Sequence, residues 1–159
     1  MEPSQRVFEQ AEGDAFASVV QGRRLLGLDL GTKTLGLAIC DERWSLATPV
    51  RTIQRTKFTA DVEAMLAYAA AEKVGGLVLG LPFNMDGSEG PRAQSTRAFA
   101  RNLERLTPLP VLFWDERLSS HEADGRMERL GVAKRNRRTA IDAAAAAVIL
   151  DDCLRAIRP

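Results

Sequence analysis

Histidine is almost missing from this chain: one residue in 159, beside two cysteines, one tyrosine and two tryptophans. Cys40 and Cys153 fit no metal-ligand spacing and read as reduced core residues rather than a zinc or disulfide framework. Long apolar runs are missing too. None approaches the roughly 20 residues needed to cross a bilayer. The N-terminus, MEPSQRVFEQAEGDAF, carries acids where a signal peptide would have a basic region and then an apolar block. The expectation is a cytoplasmic protein with no membrane partner. A net charge of only +1 says nothing about nucleic acid by its size. The placement of the basic residues does, because they cluster.

What is present is ordinary for a globular domain: 45% hydrophobic and 27% charged residues. The length suits one domain with a real core. Residues 1–21 are polar, acidic and weakly patterned, and read as an N-terminal extension, a mobile tail or loosely docked. Residues 22–159 hold the patterned domain.

Its organising stretch is Arg24–Cys40, where apolar residues crowd a single acid, Asp29, and a Gly-Thr-Lys-Thr turn splits the run. The pattern predicts a β-hairpin: a strand over 24–30, a turn at 31–34, a strand over 35–41. Period 2 sorts the faces. Leu26, Leu28 and Leu30 share one side, with Leu35, Leu37 and Ile39 alike in the second strand. Gly27 and Asp29, and the small Gly36, Ala38 and Cys40, occupy the other. A carboxylate inside such a strand is costly to desolvate unless a cation meets it. Asp29 therefore reads either as an acid capping the turn or as a ligand to metal, with Thr32, Lys33 and the turn's N–H groups facing phosphate.

Further along, Thr48-Pro49 introduces a third strand over 50–55, and apolar spacing predicts a helix over 59–73 stopped by Gly75-Gly76. Leu77-Val78-Leu79 between glycines has the pattern of a central strand covered on both faces. A loop, FNMDGSEG, leads to Pro91, which opens a helix to about residue 106. Val111–Trp114 is the fifth strand, closed by Asp115 and Glu116. Ser119 and Glu122 form a capping-box pattern for a helix to about residue 130, weakened by Gly125. Lys134, Arg135, Arg137 and Arg138 make a basic connector, expected to be mobile, ahead of a last helix over 139–157 with five successive alanines. The order argues for a three-layer α/β domain on a mixed five-stranded sheet.

Asp29, the pair Asp115 and Glu116, and Asp142 each stand where an apolar element ends or where a helix would cover the sheet. Alanines 143–147 let the last helix approach the small residues Gly27, Gly36 and Ala38, so that Asp142 could reach Asp29. The dipole of a helix N-terminus is the alternative explanation for Asp142.

The chain resembles the YqgF family, bacterial proteins assigned to Holliday-junction resolution or to nucleolytic processing of pre-16S rRNA. The likeness covers about residues 24–154. It rests on Gly27-Leu28-Asp29-Leu30-Gly31-Thr32-Lys33 with Gly36, on Gly80-Leu81-Pro82-Phe83-Asn84-Met85-Asp86-Gly87, and on Pro91-Arg92-Ala93. Asp115-Glu116-Arg117-Leu118-Ser119, the basic connector, and Asp142 with Ala144, Ala145, Ile149 and Leu150 complete it. The long acidic N-terminus and Gly125 depart from the pattern. The resemblance implies a ribonuclease-H-like fold and a nuclease site of carboxylates: Asp29, Asp142, and either Asp115 or Glu116. It also implies a nucleic-acid partner, branched DNA or rRNA precursor. A resolvase cutting two strands symmetrically would act as a homodimer; an rRNA-trimming enzyme need not.

Elementary chemistry fits. Phosphodiester cleavage needs an activated water and relief of charge on the leaving oxygen, which two Mg²⁺ or Mn²⁺ ions about 3.5–4 Å apart supply. Such ions prefer carboxylates, and the ligand set that the resemblance implies is Asp29 and Asp142 with Glu116, or with Asp115 in its place. His121 reads as a first-turn helix residue. Lys33, Arg92 and the Lys134–Arg138 run are the candidate phosphate contacts, since counterion release drives non-specific nucleic-acid binding. The stripe Arg97, Arg101, Arg105 is a second candidate or a solvated face. Few aromatics lie nearby, so backbone contact is expected over base stacking. Asn84, Asp86 and Ser88 either steer substrate or serve the turn. Two rival readings are a non-catalytic nucleic-acid-binding module and an actin-like ATP-binding domain. The latter needs two such domains, and this length holds one.

Overall fold

A computed structural model describes residues 6–117 and 134–158, with residues 134–141 as backbone only. In chain order the elements are β1 (Val7–Phe8), a 3₁₀ turn (Gln10–Glu12), α1 (Gly13–Val20), β2 (Arg24–Leu30), β3 (Thr34–Cys40), β4 (Ala47–Gln54), α2 (Phe58–Ala71), β5 (Val74–Leu81), α3 (Pro91–Glu104), β6 (Val111–Asp115) and α4 (Lys134–Ile157).

The strands form one mixed sheet in the order β1-β6-β5-β2-β3-β4. The β2–β3 hairpin and its neighbour β4 are antiparallel, whereas β1, β6, β5 and β2 run parallel. The sheet has six strands, one more than the sequence suggests. The sixth comes from the N-terminal segment, where Val7 and Phe8 pair with Val111 and Leu112. Phe8, Phe16 and Val20 are buried, and Phe8 meets Phe16 edge to face at 5.7 Å. Residues 7–20 are therefore built into the fold rather than left as a tail. A two-residue strand whose partner lies a hundred positions away carries no local signal.

Period 2 delivers each strand's side chains to two cores. Leu26, Leu28, Leu30, Leu35 and Leu37 pack with Val62, Met65, Phe99 and Leu103 of α2 and α3. Leu25, Ala38 and Cys40 pack on the opposite face with α1 and α4, against Ala146, Leu150 and Cys153. β5 sits between β2 and β6 and is buried on both faces through Leu77, Val78 and Leu79.

The two missing side chains at Gly27 and Gly36 set how closely α4 sits on the hairpin. A Cβ on Gly27 would stand 2.9 Å from both the Ala146 carbonyl oxygen and the Leu150 Cβ. A Cβ on Gly36 would run into the backbone carbonyl of Asp142.

α4 begins at Lys134, five residues ahead of the expected start, so the basic run is its first turns and not a connector. Lys and Arg are good helix formers, and no Gly or Pro interrupts residues 134–157. The expected helix over 119–130, with His121, Glu122 and Gly125, lies outside the described residues. Among those described, no helix is long and apolar enough to cross a membrane.

Candidate active site

Asp29 leaves β2 on the α4 side of the sheet and pairs across the hairpin with Gly36. Gly36 is also the residue on which the Asp142 backbone rests. One glycine therefore brings together two acids from opposite ends of the domain. The third acid arrives by the same logic from β6. Phe113 faces α2 and α3 and Trp114 faces α4, so Asp115 turns back to the first side and Glu116 to the second. Glu116 donates its backbone N–H to the Leu81 carbonyl at 3.2 Å. Its carboxylate occupies the space that a Cβ on Gly80 would take.

Asp29, Glu116 and Asp142 line one cleft of about 380 Å³ with Gly31, Thr32, Lys33, Thr34 and Arg92. Asp115 is not in that lining. Its carboxylate accepts from Arg117 Nε at 2.8 Å and Nη2 at 2.5 Å, and its backbone N–H donates to Gln10 Oε1 at 2.7 Å. Of the two acids that close β6, the cleft takes Glu116.

Asp29 is only 8% exposed. Burial raises its pKa, as does the Asp142 charge, while contact with Glu116 and the Arg92 guanidinium act the other way. Burial together with the Asp29 charge pushes Glu116 up to about 9. Two carboxylates have only acceptors to offer each other, so their contact requires a shared proton or a cation. Without either, Glu116 Oε2 is buried with no donor. Asp142 accepts from the Thr34 hydroxyl. It lies two turns inside α4, too deep for the helix dipole to account for it. As they stand, no three carboxylate, imidazole or thiolate groups among the described residues gather closely enough to hold one ion.

The cationic candidates divide. Arg92, just past the Pro91 start of α3, lines the cleft and donates Nη2 to the Leu30 carbonyl at 3.3 Å. Lys33 lines it as well. Arg97 is committed elsewhere: it binds Glu9 at 2.9 Å and Glu89 at 2.7 Å and lies 4.9 Å over the Phe113 ring. Arg101 and Arg105 remain exposed. Lys134, Arg135, Arg137 and Arg138 contribute the first turns of α4, and their side chains lie outside the described residues. In the 84–90 loop, Ser88 donates to Asp86 Oδ1 through its N–H and its hydroxyl, and Asn84 Nδ2 donates to Ser88 Oγ. Turn chemistry accounts for all three. Thr34, whose hydroxyl orients Asp142, had no signal in the sequence, because its partner is 108 residues away.

A family model described as "RuvX: Holliday junction resolvase" matches residues 23–156. A protein of Rhodobacter capsulatus named "Putative pre-16S rRNA nuclease" is 52% identical over 141 residues, covering 89% of each chain. One of the same name from Paracoccus denitrificans is 56% identical, covering 83% of this chain and 84% of its own length. Among solved structures, T. thermophilus RuvC in complex with Holliday junction substrate superposes with a TM-score of 0.54 at 14% identity, over 84% of this chain and 94% of that one. The Fowlpox virus resolvase, in complex with Holliday junction DNA, gives 0.53 at 11% identity, over 86% and 99%. These last two likenesses concern the fold, which is that of the ribonuclease-H-like resolvases.

Proposed function

Because the chain belongs to the RuvX family, also called YqgF, we propose that it is a divalent-metal-dependent nuclease that trims the precursor of 16S rRNA. The names carried by relatives at 52–56% identity support the rRNA substrate. The family description supports a Holliday junction as the second candidate.

One observation carries the nuclease reading: the buried Glu116 oxygen without a donor, set against Asp29 in a cleft that Asp142 also lines. Such an arrangement needs a shared proton or a cation, and a cation can bind both acids in their charged form. The donor set is all oxygen, which suits Mg²⁺ or Mn²⁺. Asp29, Glu116 and Asp142 would hold the ions, with the Thr34 hydroxyl orienting Asp142. When bound, a pair of such ions activates the attacking water and relieves charge on the leaving oxygen.

The chain's own residues supply the rest. Arg92 faces the acids and would neutralise the phosphate being cut, keeping it from being repelled by the carboxylates. Lys33 and Thr32, on the turn, would orient it. A non-catalytic binding module with the same fold would need none of the buried carboxylate pairing. An actin-like ATP-binding domain would bind ATP with no effect on polynucleotides.

The test is metal-dependent cleavage of a pre-16S rRNA fragment and of a DNA Holliday junction by the wild type and by Asp29→Asn. The proposal expects cleavage of the rRNA fragment, dependent on Mg²⁺ or Mn²⁺ and lost in the variant. Cleavage of the junction alone would make resolution the function. Cleavage of neither, with binding retained, would leave a binding module.

A further inference from the structure

The β2–β3 turn carries two guanidinium groups on successive carbonyls. Arg92 reaches from α3 to the Leu30 carbonyl at 3.3 Å. Arg55, just past the end of β4, donates Nη1 to the Gly31 carbonyl at 2.6 Å and its backbone N–H to the Lys33 carbonyl at 2.9 Å. Arg92 faces the carboxylates and lines the cleft. Arg55 does not line it and is exposed.

A guanidinium has five N–H donors in a fixed fork, and Gly31 uses one of those of Arg55. Arg24, Arg97 and Arg117 each have a carboxylate in place. Arg55, Lys33 and Lys57, all exposed, make no salt bridge among the described residues. The acid nearest to Arg55 and Lys57 along the chain, Asp61, is buried and accepts from the Thr56 N–H and hydroxyl at 3.1–3.2 Å. Lys33 is thus on the turn, Arg55 has its head group anchored to the turn, and Lys57 follows two residues later at the start of α2; none of the three is in a salt bridge among the described residues. Anchoring the turn accounts for a single N–H of Arg55. It does not account for Lys33 and Lys57 beside it.

We propose that Arg55, with Lys57, forms a second phosphate site on the β4 side of the cleft, beyond Lys33, which takes a backbone phosphate of the polynucleotide next to the bond being cut. The proposal rests on the nuclease reading above and adds where the strand runs: past Arg92 in the cleft, over the β2–β3 turn, on to the start of α2. A phosphate held on a fixed guanidinium fork sets the register of the strand, and with it which bond lies over the carboxylates.

The experiment measures binding of a labelled pre-16S rRNA stem and of a DNA Holliday junction against salt, with chelator present, in an Asp29→Asn background. Arg55→Gln keeps a donor for Gly31 and loses the charge; Lys57→Gln loses a charge that anchors nothing. Each variant should weaken binding equally across sequences. Each should flatten the log–log salt slope by about 0.9 if the phosphate it neutralises belongs to a duplex, or by about 0.7 if it belongs to a single strand. Unchanged slopes in both variants would overturn the proposal. So would weaker binding by Arg55→Gln at an unchanged slope, which would mean that Arg55 only braces the turn. An Asp29→Asn parent that binds with the steeper slope, while the wild type never cuts, would end the nuclease reading and leave this site standing.

Discussion

Thr34 donates its hydroxyl to the carboxylate of Asp142, 108 residues further along the chain. The bond ties the β2–β3 turn to α4 and sets which way Asp142 points. If Asp142 is a ligand, Thr34 is its positioning residue. Thr34→Val removes the donor at nearly constant volume and should lower Mn²⁺ affinity by about 10–100-fold, read by titration calorimetry. Thr34→Ser should recover most of it. Equal affinity in the Val variant would remove Thr34 from the site.

Asp29→Asn and Glu116→Gln should each abolish cleavage while leaving the metal-free fold intact or slightly more stable. Asp29→Asn removes a buried charge, and Glu116→Gln replaces a group that burial already holds protonated, so neither leaves an unpaired charge in the metal-free core. Thermal melts in chelator, beside a cleavage assay, check both halves. A variant that cuts at the normal rate contradicts the assignment of its residue.

The same pair gives a pH dependence with a definite sign. Burial raises the Glu116 pKa from 4.5 to about 9, so the native protein keeps a proton that the unfolded chain releases. Stability of the metal-free protein then falls as pH rises from 4.5 through about 9. Glu116→Gln has no proton to lose. Its advantage in melting temperature over wild type should widen across that window, and saturating Mg²⁺ should narrow it by taking the proton's place. A constant difference at every pH would show that Glu116 is not the proton holder.

Gly36 and Gly80 should fail differently when changed to Ala. At Gly36 the new Cβ meets the Asp142 backbone, which cannot yield without moving α4. Overpacking of this kind costs about 1–3 kcal/mol, and activity should fall with stability. At Gly80 it meets the ends of side chains, the Glu116 carboxylate and Ile149 Cδ1. Those can swing aside, so activity should fall with a smaller loss of stability. Urea denaturation of both variants beside a cleavage assay separates the cases, and equal stability losses would contradict the contrast.

Phe16→Ala should cost about 3–5 kcal/mol, the usual penalty for a large cavity in a core, because Phe16 is wholly buried on the inner face of α1. A tail residue would cost almost nothing. Equilibrium unfolding therefore decides whether residues 7–20 belong to the folded unit.

Features that depend on neighbours along the chain were legible in the amino-acid order. Alternation along Leu25–Leu30 and Leu35–Cys40 assigned both faces of the hairpin, because the period of a strand is a local property. Unbroken apolar character marked β5 as central, and Pro91 marked the start of α3. The motifs around Asp29, Glu116 and Asp142 could also be read, as could the small residues that let α4 come close. Features that depend on distant partners had to wait for the folded chain. Folding chose Glu116 over Asp115, since which acid enters the cleft follows from the face on which β6 ends, and Arg117 holds the other. It drew Val7 and Phe8 into the sheet through pairing with Val111 and Leu112. It withdrew Arg97 from the candidate phosphate contacts, because Glu9 and Glu89 are in place to hold it. And it set Asp142 on Thr34. Local pattern can prescribe a side chain's direction, but its partner is set by how the layers close over one another.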